Sequence, residues 1–402
     1  MRHLVILIKM TIIILFVLGC ILVCAASNGA GDVSFRQKLK PLAVPQVYIP
    51  KGIPADLWTK HIPASNPLTP QKVSLGEALY FDKRLSADRS ISCAVCHDPA
   101  SAFADHNPLA LGVGGKRGTR NAPTMLNAMF SQTLFWDGRA HSLEEQAKQP
   151  LVNPNEMGMQ TLDAVVARVA AIPEYQEGFR RVFKTEGITV ETIVKALAAY
   201  ERLQLSGNSP FDRFMGGDKN ALTETQQRGW ELFKGKAQCI KCHEFTPSSP
   251  FFSDFKFHNT GIATRDRDFD SLAQRALQPS PLPARADLSG SVLAHTEGIS
   301  ELGRFLVTRQ SKDIGAFKTP TLRDIELTTP YMHDGSEKTL FDVVKFYNRG
   351  GENNAYLDQR MRPLGLTDDE MNCLVEFMRA LTSDDVLRQA QSITPQTRTR
   401  PG

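Results

Sequence analysis

The chain has 402 residues, 42% of them hydrophobic, and a formal net charge of +4. That length accommodates two or three domains of roughly 150 residues with a substantial core. So slight a positive charge gives no sign of a nucleic-acid partner, and of the seven cysteines four pair as C-x-x-C and two lie in the first 24 residues, which leaves no disulfide framework.

In chain order, Arg2, His3 and Lys9 precede an apolar run from Thr11 to Val23, followed by Ala25, Ala26 and Ser27. Residues 1–26 therefore read as a signal peptide. Val17-Leu18-Gly19-Cys20 also resembles a lipobox, so cleavage, lipidation at Cys20 and an uncleaved anchor all stay open. Each puts the working part of the chain in the periplasm. No second stretch is long enough to span a bilayer. Residues 27–68, with Pro41, Pro45, Pro50, Pro54, Pro63 and Pro67, read as a linker and extended arm.

Ser74-x-x-Glu77 predicts a helix start, running through Gly76, Leu79, Tyr80 and Phe81. It leads to Cys93-Ala94-Val95-Cys96-His97, a C-x-x-C-H pentapeptide that signals c-type haem attachment. Two cysteines at this spacing form thioethers on one porphyrin edge, and the following histidine supplies the proximal iron ligand. Leu162, Val165, Val166 and Val169 fall on one helical face, as do Val190, Ile193, Val194 and Leu197. Ser206–Pro210 breaks the pattern and divides a domain at 69–205 from one at 206–385.

Thr223-x-x-Gln226 caps a helix through Gly229, Leu232 and Phe233, which leads to a second pentapeptide, Cys239-Ile240-Lys241-Cys242-His243. A four-cysteine zinc ribbon would separate its two pairs by about 15–20 residues. Here the gap is far longer and each pair carries a histidine, so two covalently bound haem c groups are expected. Glycine, then leucine, then an aromatic, then C-x-x-C-H occurs twice, a weak internal repeat. Residues 245–320, rich in Ser, Pro, Asp and Arg, are too long for a casual loop. They are expected to be functional, mobile or wrapped on the surface. Thr339-x-x-Asp342 and Thr367-x-x-Glu370 open two more helices, the second with Met371, Leu374, Val375, Met378 and Leu381 on its apolar face. Cys373 in that helix reads as an inert buried thiol. Residues 386–402 read as a polar tail, disordered from Ser392. The predicted fold is mainly α, with two cytochrome c-like domains each carrying one haem.

The sixth ligand of each iron decides between electron carrier and enzyme. Composition offers His61, His106, His141, His258, His295 and His333, eleven Met and seven Tyr. Peroxide chemistry also needs a carboxylate or histidine to move a proton, and spacing does not select it.

Several further stretches resemble the bacterial dihaem cytochrome c peroxidase family, which includes the MauG-type enzymes. They are Arg120-Asn121-Ala122-Pro123-Thr124, Phe135-Trp136-Asp137-Gly138-Arg139, Gln146 to Pro150 and Glu156-Met157 in the first half. In the second half they are Gly315-Ala316-Phe317-Lys318-Thr319-Pro320-Thr321-Leu322-Arg323 and Thr328-Thr329-Pro330-Tyr331-Met332-His333-Asp334-Gly335. The match covers roughly residues 65–385. The resemblance implies that the His97 haem reacts with peroxide and that Glu156 is its distal acid–base residue. Gln146 and Pro150 would line that pocket, and Trp136 would carry electrons between the haems. It also implies a calcium ion held by the Asn121 side chain and the Thr328 and Pro330 carbonyls, oxygen donors that suit this hard cation.

Two departures from the classical peroxidases matter. Their removable distal histidine has Val113 in its place, in Leu111-Gly112-Val113-Gly114-Gly115. Valine cannot bind iron, so the site should be open without prior reduction, with His106 the nearby substitute. Second, Tyr347 stands where MauG-type enzymes have an axial tyrosine, while Met361 offers a methionine alternative. The leading reading is a peroxidase that reduces hydrogen peroxide with electrons from a small cytochrome c or cupredoxin. The alternative is a MauG-type enzyme that oxidises aromatic residues of a partner protein substrate. A plain electron-transfer cytochrome is the third reading. A homodimer is common in the family and leaves no mark in the sequence.

Overall fold

The computed structural model describes residues 48–265, 267–278 and 289–393. The leader with Cys20, the start of the arm and the last nine residues of the expected tail lie outside the described residues. The described chain is mainly helical, and its one named sheet is the two-residue antiparallel pair β1 (Phe257–His258) and β2 (Phe317–Lys318).

The arm is not merely extended. It contains helix α1 (Ala55–Lys60), and it buries Ile53 against Phe130, Leu143 and Phe251. The Trp58 indole N–H reaches the Arg202 carbonyl at 3.4 Å.

Helix α2 (Pro70–Phe81) starts four residues earlier than the Ser74 capping box predicts. Thr69 is the cap, accepting the Lys72 N–H at 3.2 Å, and Pro70 occupies the first position, where its missing N–H costs nothing. Ser74 is instead buried inside the helix with its hydroxyl unpaired.

Helices α3 (Leu143–Val152), α4 (Leu162–Ala170), α5 (Pro173–Phe183) and α6 (Val190–Glu201) follow. Val165, Val169, Ile193, Val194 and Leu197 are buried as their periodicity predicts, joining Leu79, Phe103 and Phe179 in a first core. A second core gathers Phe211, Trp230, Phe233 and Phe377 from α7 (Pro210–Met215), α8 (Glu224–Lys234) and α12 (Asp368–Arg379) around Phe252 of the loop after the second pentapeptide, with helices α9 to α11 described below lying between α8 and α12 in the chain. The predicted caps Thr223, Thr339 and Thr367 all form full capping boxes, each worth about 1 kcal/mol. Cys373 is buried, as expected.

The internal repeat has a physical cause. Helix α2 crosses α6 at Gly76, where a Cβ would lie 1.9 Å from the Ala196 carbonyl oxygen. Helix α8 crosses α12 at Gly229, where a Cβ would lie 2.0 Å from the Cys373 carbonyl oxygen. Only glycine permits both approaches, and the aromatic four residues on, Tyr80 or Phe233, is buried in each half.

The described part of the region at 245–320 is more ordered than its composition suggests. It holds α9 (Phe269–Leu277) and α10 (Ser289–Ala294), and Phe269, Leu302, Phe305 and Phe317 form a third core against which Trp136 packs. Helix α11 (Leu340–Asn348) carries Tyr347. The tail also begins later than predicted, because α13 (Asp384–Ile393) continues the fold. Its Val386 is buried in the first core, and the helix lies against the Pro99–Ser101 turn. The alternation of Val386 and Ala390 with polar residues marks an amphipathic helix, which polarity alone conceals.

Candidate dihaem site

Both pentapeptides fold into the same short turn. The His97 N–H meets the Cys93 carbonyl at 2.9 Å, and the His243 N–H meets the Cys239 carbonyl at 2.9 Å. This turn brings cysteines three residues apart to one side, with the histidine next in line. None of the four forms a disulfide. His97 Nδ1 lies 3.2 Å from the Phe103 carbonyl oxygen, and His243 Nδ1 lies 2.9 Å from that of Phe252. An Nδ1–H donated to a backbone carbonyl fixes the tautomer and leaves Nε2 to bind a metal. Burial lowers the pKa of both imidazoles, which favours the neutral, ligating form.

The supports repeat too. Phe103 and Phe252 both adopt left-handed backbone, with φ of 58° and 53°. Thr124 Oγ1 donates to the Ala102 carbonyl at 2.6 Å, and Thr321 Oγ1 donates to the Phe251 carbonyl at 2.7 Å. The Ala122-Pro123-Thr124 and Thr319-Pro320-Thr321 stretches are therefore equivalent braces for the backbone just before Phe103 and Phe252, whose own carbonyls face the two histidines. Residues 134–140 and 331–337 are likewise equivalent. Each closes an antiparallel bridge, Leu134 with Ala140 and Tyr331 with Glu337. Trp136 in one stands where His333 stands in the other.

Beside the first loop, Cys96 Sγ lies 3.9 Å from the Leu111 carbonyl oxygen, and the Val113 N–H donates to the Glu156 carbonyl at 2.8 Å. Gly112 packs so tightly on this turn that a Cβ would fall 2.1 Å from the Asn155 carbonyl oxygen. The Val113 side chain is buried in the first core. Burial raises the Glu156 carboxyl above its ordinary value, with the Arg139 charge opposing the rise.

Arg139 organises the neighbourhood. Its Nη1 contacts both oxygens of Asp137 at 3.0 Å, and its Nε donates to Gln149 Oε1 at 2.7 Å. Arg120 Nη1 meets the same buried Asp137 at 2.7 Å. Gln146, Gln149 and Pro150 share a face of α3 by their spacing, and Gln149 makes the bond to Arg139.

The predicted histidine candidates sort cleanly. His106 is exposed and hydrogen-bonded to Ser101. His258 is bracketed by Asp254 at 2.9 Å and Asp358 at 2.8 Å. It forms a cluster with Asp254 and Cys242, whose sulfur belongs to the second pentapeptide. His333 Nε2 meets Glu301 at 2.9 Å and its ring stacks on Phe317. His61 and His141 are exposed. His295 alone comes near Glu156, with its Nδ1 3.9 Å from Glu156 Oε1.

The second loop opens on a cavity of about 310 Å³, lined by Cys239, Cys242, His243, Tyr347, Met361 and Trp136 among others. Both candidate axial side chains thus reach it. Burial pushes the Tyr347 phenol well above its usual range, and no described residue hydrogen-bonds its hydroxyl. Asn121, Thr328 and Pro330 line the same cavity. The Asn121 N–H donates to the His333 carbonyl at 2.7 Å, and its carbonyl accepts the Trp136 indole N–H at 2.9 Å. Asn121 Nδ2 donates to the Asn107 carbonyl at 3.1 Å. Among the described residues, no donor reaches Asn121 Oδ1 or the Thr328 and Pro330 carbonyls. Three unpaired neutral oxygens on one cavity fit a hard cation, and the histidine–cysteine loops fit c-type haem.

A dihaem c-type cytochrome is the class that these paired loops define. A profile of the di-haem cytochrome c peroxidase family matches residues 70–220. The chain belongs to this family. It is 36% identical over 366 residues to the cytochrome-c peroxidase IdrP1 of Denitromonas iodatirespirans, covering 90% of this chain and 91% of that one. It is 37% identical over 323 residues to the methylamine utilization protein MauG of Methylorubrum extorquens, covering 80% and 81%. A solved MauG-like protein associated with microbial copper homeostasis superposes with a TM-score of 0.65 at 30% identity, covering 85% and 95%. The named relatives divide between peroxidases, oxidoreductases that act on peroxide, and MauG proteins.

Proposed function

We propose that the chain is a periplasmic dihaem peroxidase that reduces hydrogen peroxide to water with electrons from a small cytochrome c or cupredoxin. The observation that carries this reading is the Glu156 carboxyl, held beside the Cys93–His97 loop with Val113 where a ligating side chain would close the site. Haem c at His97 and His243, when bound, supplies the redox chemistry. Glu156 then takes a proton from one peroxide oxygen and returns it to the other, the role of a general acid–base. Its raised pKa suits a group that must both accept and donate near neutral pH. Arg139 holds compensating charge near it without binding it directly. Trp136, packed on the third core and lining the cavity that holds His243, is the route for electrons. Asn121, Thr328 and Pro330 would hold calcium and so fix the two sides of that route.

Tyr347 favours a second reading. A half-buried phenol with no hydrogen-bond partner among the described residues, on the cavity that holds His243, suits an axial oxygen ligand. That points to a MauG-type enzyme which draws electrons from aromatic side chains of a protein substrate.

Stopped-flow mixing of the ferric holoprotein with peroxide, with and without reduced small cytochrome c, separates the two. Fast reaction with rapid cytochrome oxidation supports the peroxidase. Fast reaction with slow cytochrome oxidation and a long-lived oxidised state supports the MauG-type enzyme. Silence until the protein is half-reduced would sink the open-site reading.

A further inference from the structure

We propose that His295 is a positioning residue for Glu156: its Nδ1–H, delivered from the C-terminal half of the chain, closes onto Glu156 Oε1 and fixes the carboxyl for proton transfer. This rests on the reading of Glu156 as the acid–base group.

The contacts of His295 assign its proton. Its Nε2 lies 3.3 Å from Arg139 Nη2. A guanidinium only donates, so Nε2 accepts and the neutral ring carries its hydrogen on Nδ1. That Nδ1 is buried and has no hydrogen-bond partner. It stands 3.9 Å from Glu156 Oε1, with side-chain exposures of 14% and 25%. An approach of about 1 Å makes the bond, and an orphaned buried donor gains from making it.

The groups that face His295 keep it neutral. Burial comes first, then the Arg139 and Arg120 charges, with Asp137 opposing; together they push it down to about 3. It is therefore a donor rather than an ion partner across the working range of pH.

The segment is fastened to the first half at both ends. Thr119 Oγ1 donates to the Ala294 carbonyl at 2.8 Å, and Arg120 Nη2 donates to the Ser300 carbonyl at 2.6 Å. Both anchors immediately precede Asn121. His295 thus enters a site whose other residues all precede position 160.

The test follows the ferric holoprotein's reaction with peroxide across about pH 5 to 9, alongside infrared titration of the protonated Glu156 carboxyl. An N–H donor stabilises the carboxylate and lowers its pKa. H295F keeps the ring and removes the donor. It should slow the reaction about tenfold and move both the acid limb and the infrared midpoint to higher pH. H295N, whose amide N–H stands near the Nδ1 position, should restore both. Unchanged midpoints in H295F, or H295N matching H295F, would overturn the proposal and leave a packing role. E156Q that neither slows the wild-type reaction nor removes the carboxyl band would instead overturn the reading of Glu156 itself.

Discussion

The indole of Trp136 meets the imidazole of His333 edge to face, with ring centroids 6.4 Å apart. The two residues are counterparts in the internal repeat, so the repeat brings its own equivalent positions into contact between the two loops. Replacing Trp136 by phenylalanine removes the bond to the Asn121 carbonyl and should cost about 1 kcal/mol. Electron flow from the second haem to the first should slow by at least about tenfold. Spectral reoxidation of the second haem after peroxide addition measures the rate, and urea denaturation measures the stability.

Asp137 serves two guanidiniums in a buried site, where the Arg139 and Arg120 charges overcome burial and hold its pKa well below the ordinary value. Its stabilisation is present in full above the unfolded value of about 3.9 and is lost as pH falls through the folded one. Asp137→Asn strands both arginines and should cost about 3–5 kcal/mol. Urea denaturation between about pH 2 and 5 should show a shallower pH dependence in the variant than in wild type.

Gly76 and Gly229 should be equally intolerant of a methyl group. Gly76→Ala and Gly229→Ala each force a helix pair apart at about 1–3 kcal/mol or more. Calorimetry should record a lowered Tm for both, since each core lies under one of the crossings.

Tyr347→Phe and Met361→Leu separate the two axial candidates. With Tyr347 as ligand, Tyr347→Phe alone should alter the spectrum and raise the potential of the second haem, because an anionic oxygen ligand favours ferric iron. Potentiometric titration of both variants reads the result. An effect confined to Met361→Leu would assign the methionine.

Chelation of calcium should act at the boundary rather than at either haem. Removing an ion held by Asn121, Thr328 and Pro330 should loosen the Asn121 bonds to Trp136 and His333. Slowed electron flow, restored by added calcium, is the expected outcome. No change in rate or stability after complete metal removal would argue against the site.

The sequence made the haem loops, helix faces and capping boxes legible because each depends on local spacing. What it concealed was tertiary. Ser74 matched a capping box, yet Thr69 and Pro70 had already started the helix. Gly76 and Gly229 were visible as a repeat, but their reason was a backbone carbonyl more than a hundred residues away. His295 was one histidine among six, and nothing in its neighbours announces Glu156. The polar appearance of the final residues hid Val386, whose role depends on a surface built by the beginning of the chain.

That last helix sets an order of assembly. Synthesis runs from the N-terminus, so the Cys93–His97 loop is made early. The helix that covers its Pro99–Ser101 flank, Asp384–Ile393, is made only after the second attachment loop. The flank of the first attachment loop is therefore covered after the second loop has been made, and a truncation before Asp384 should damage the His97 site more than the His243 site.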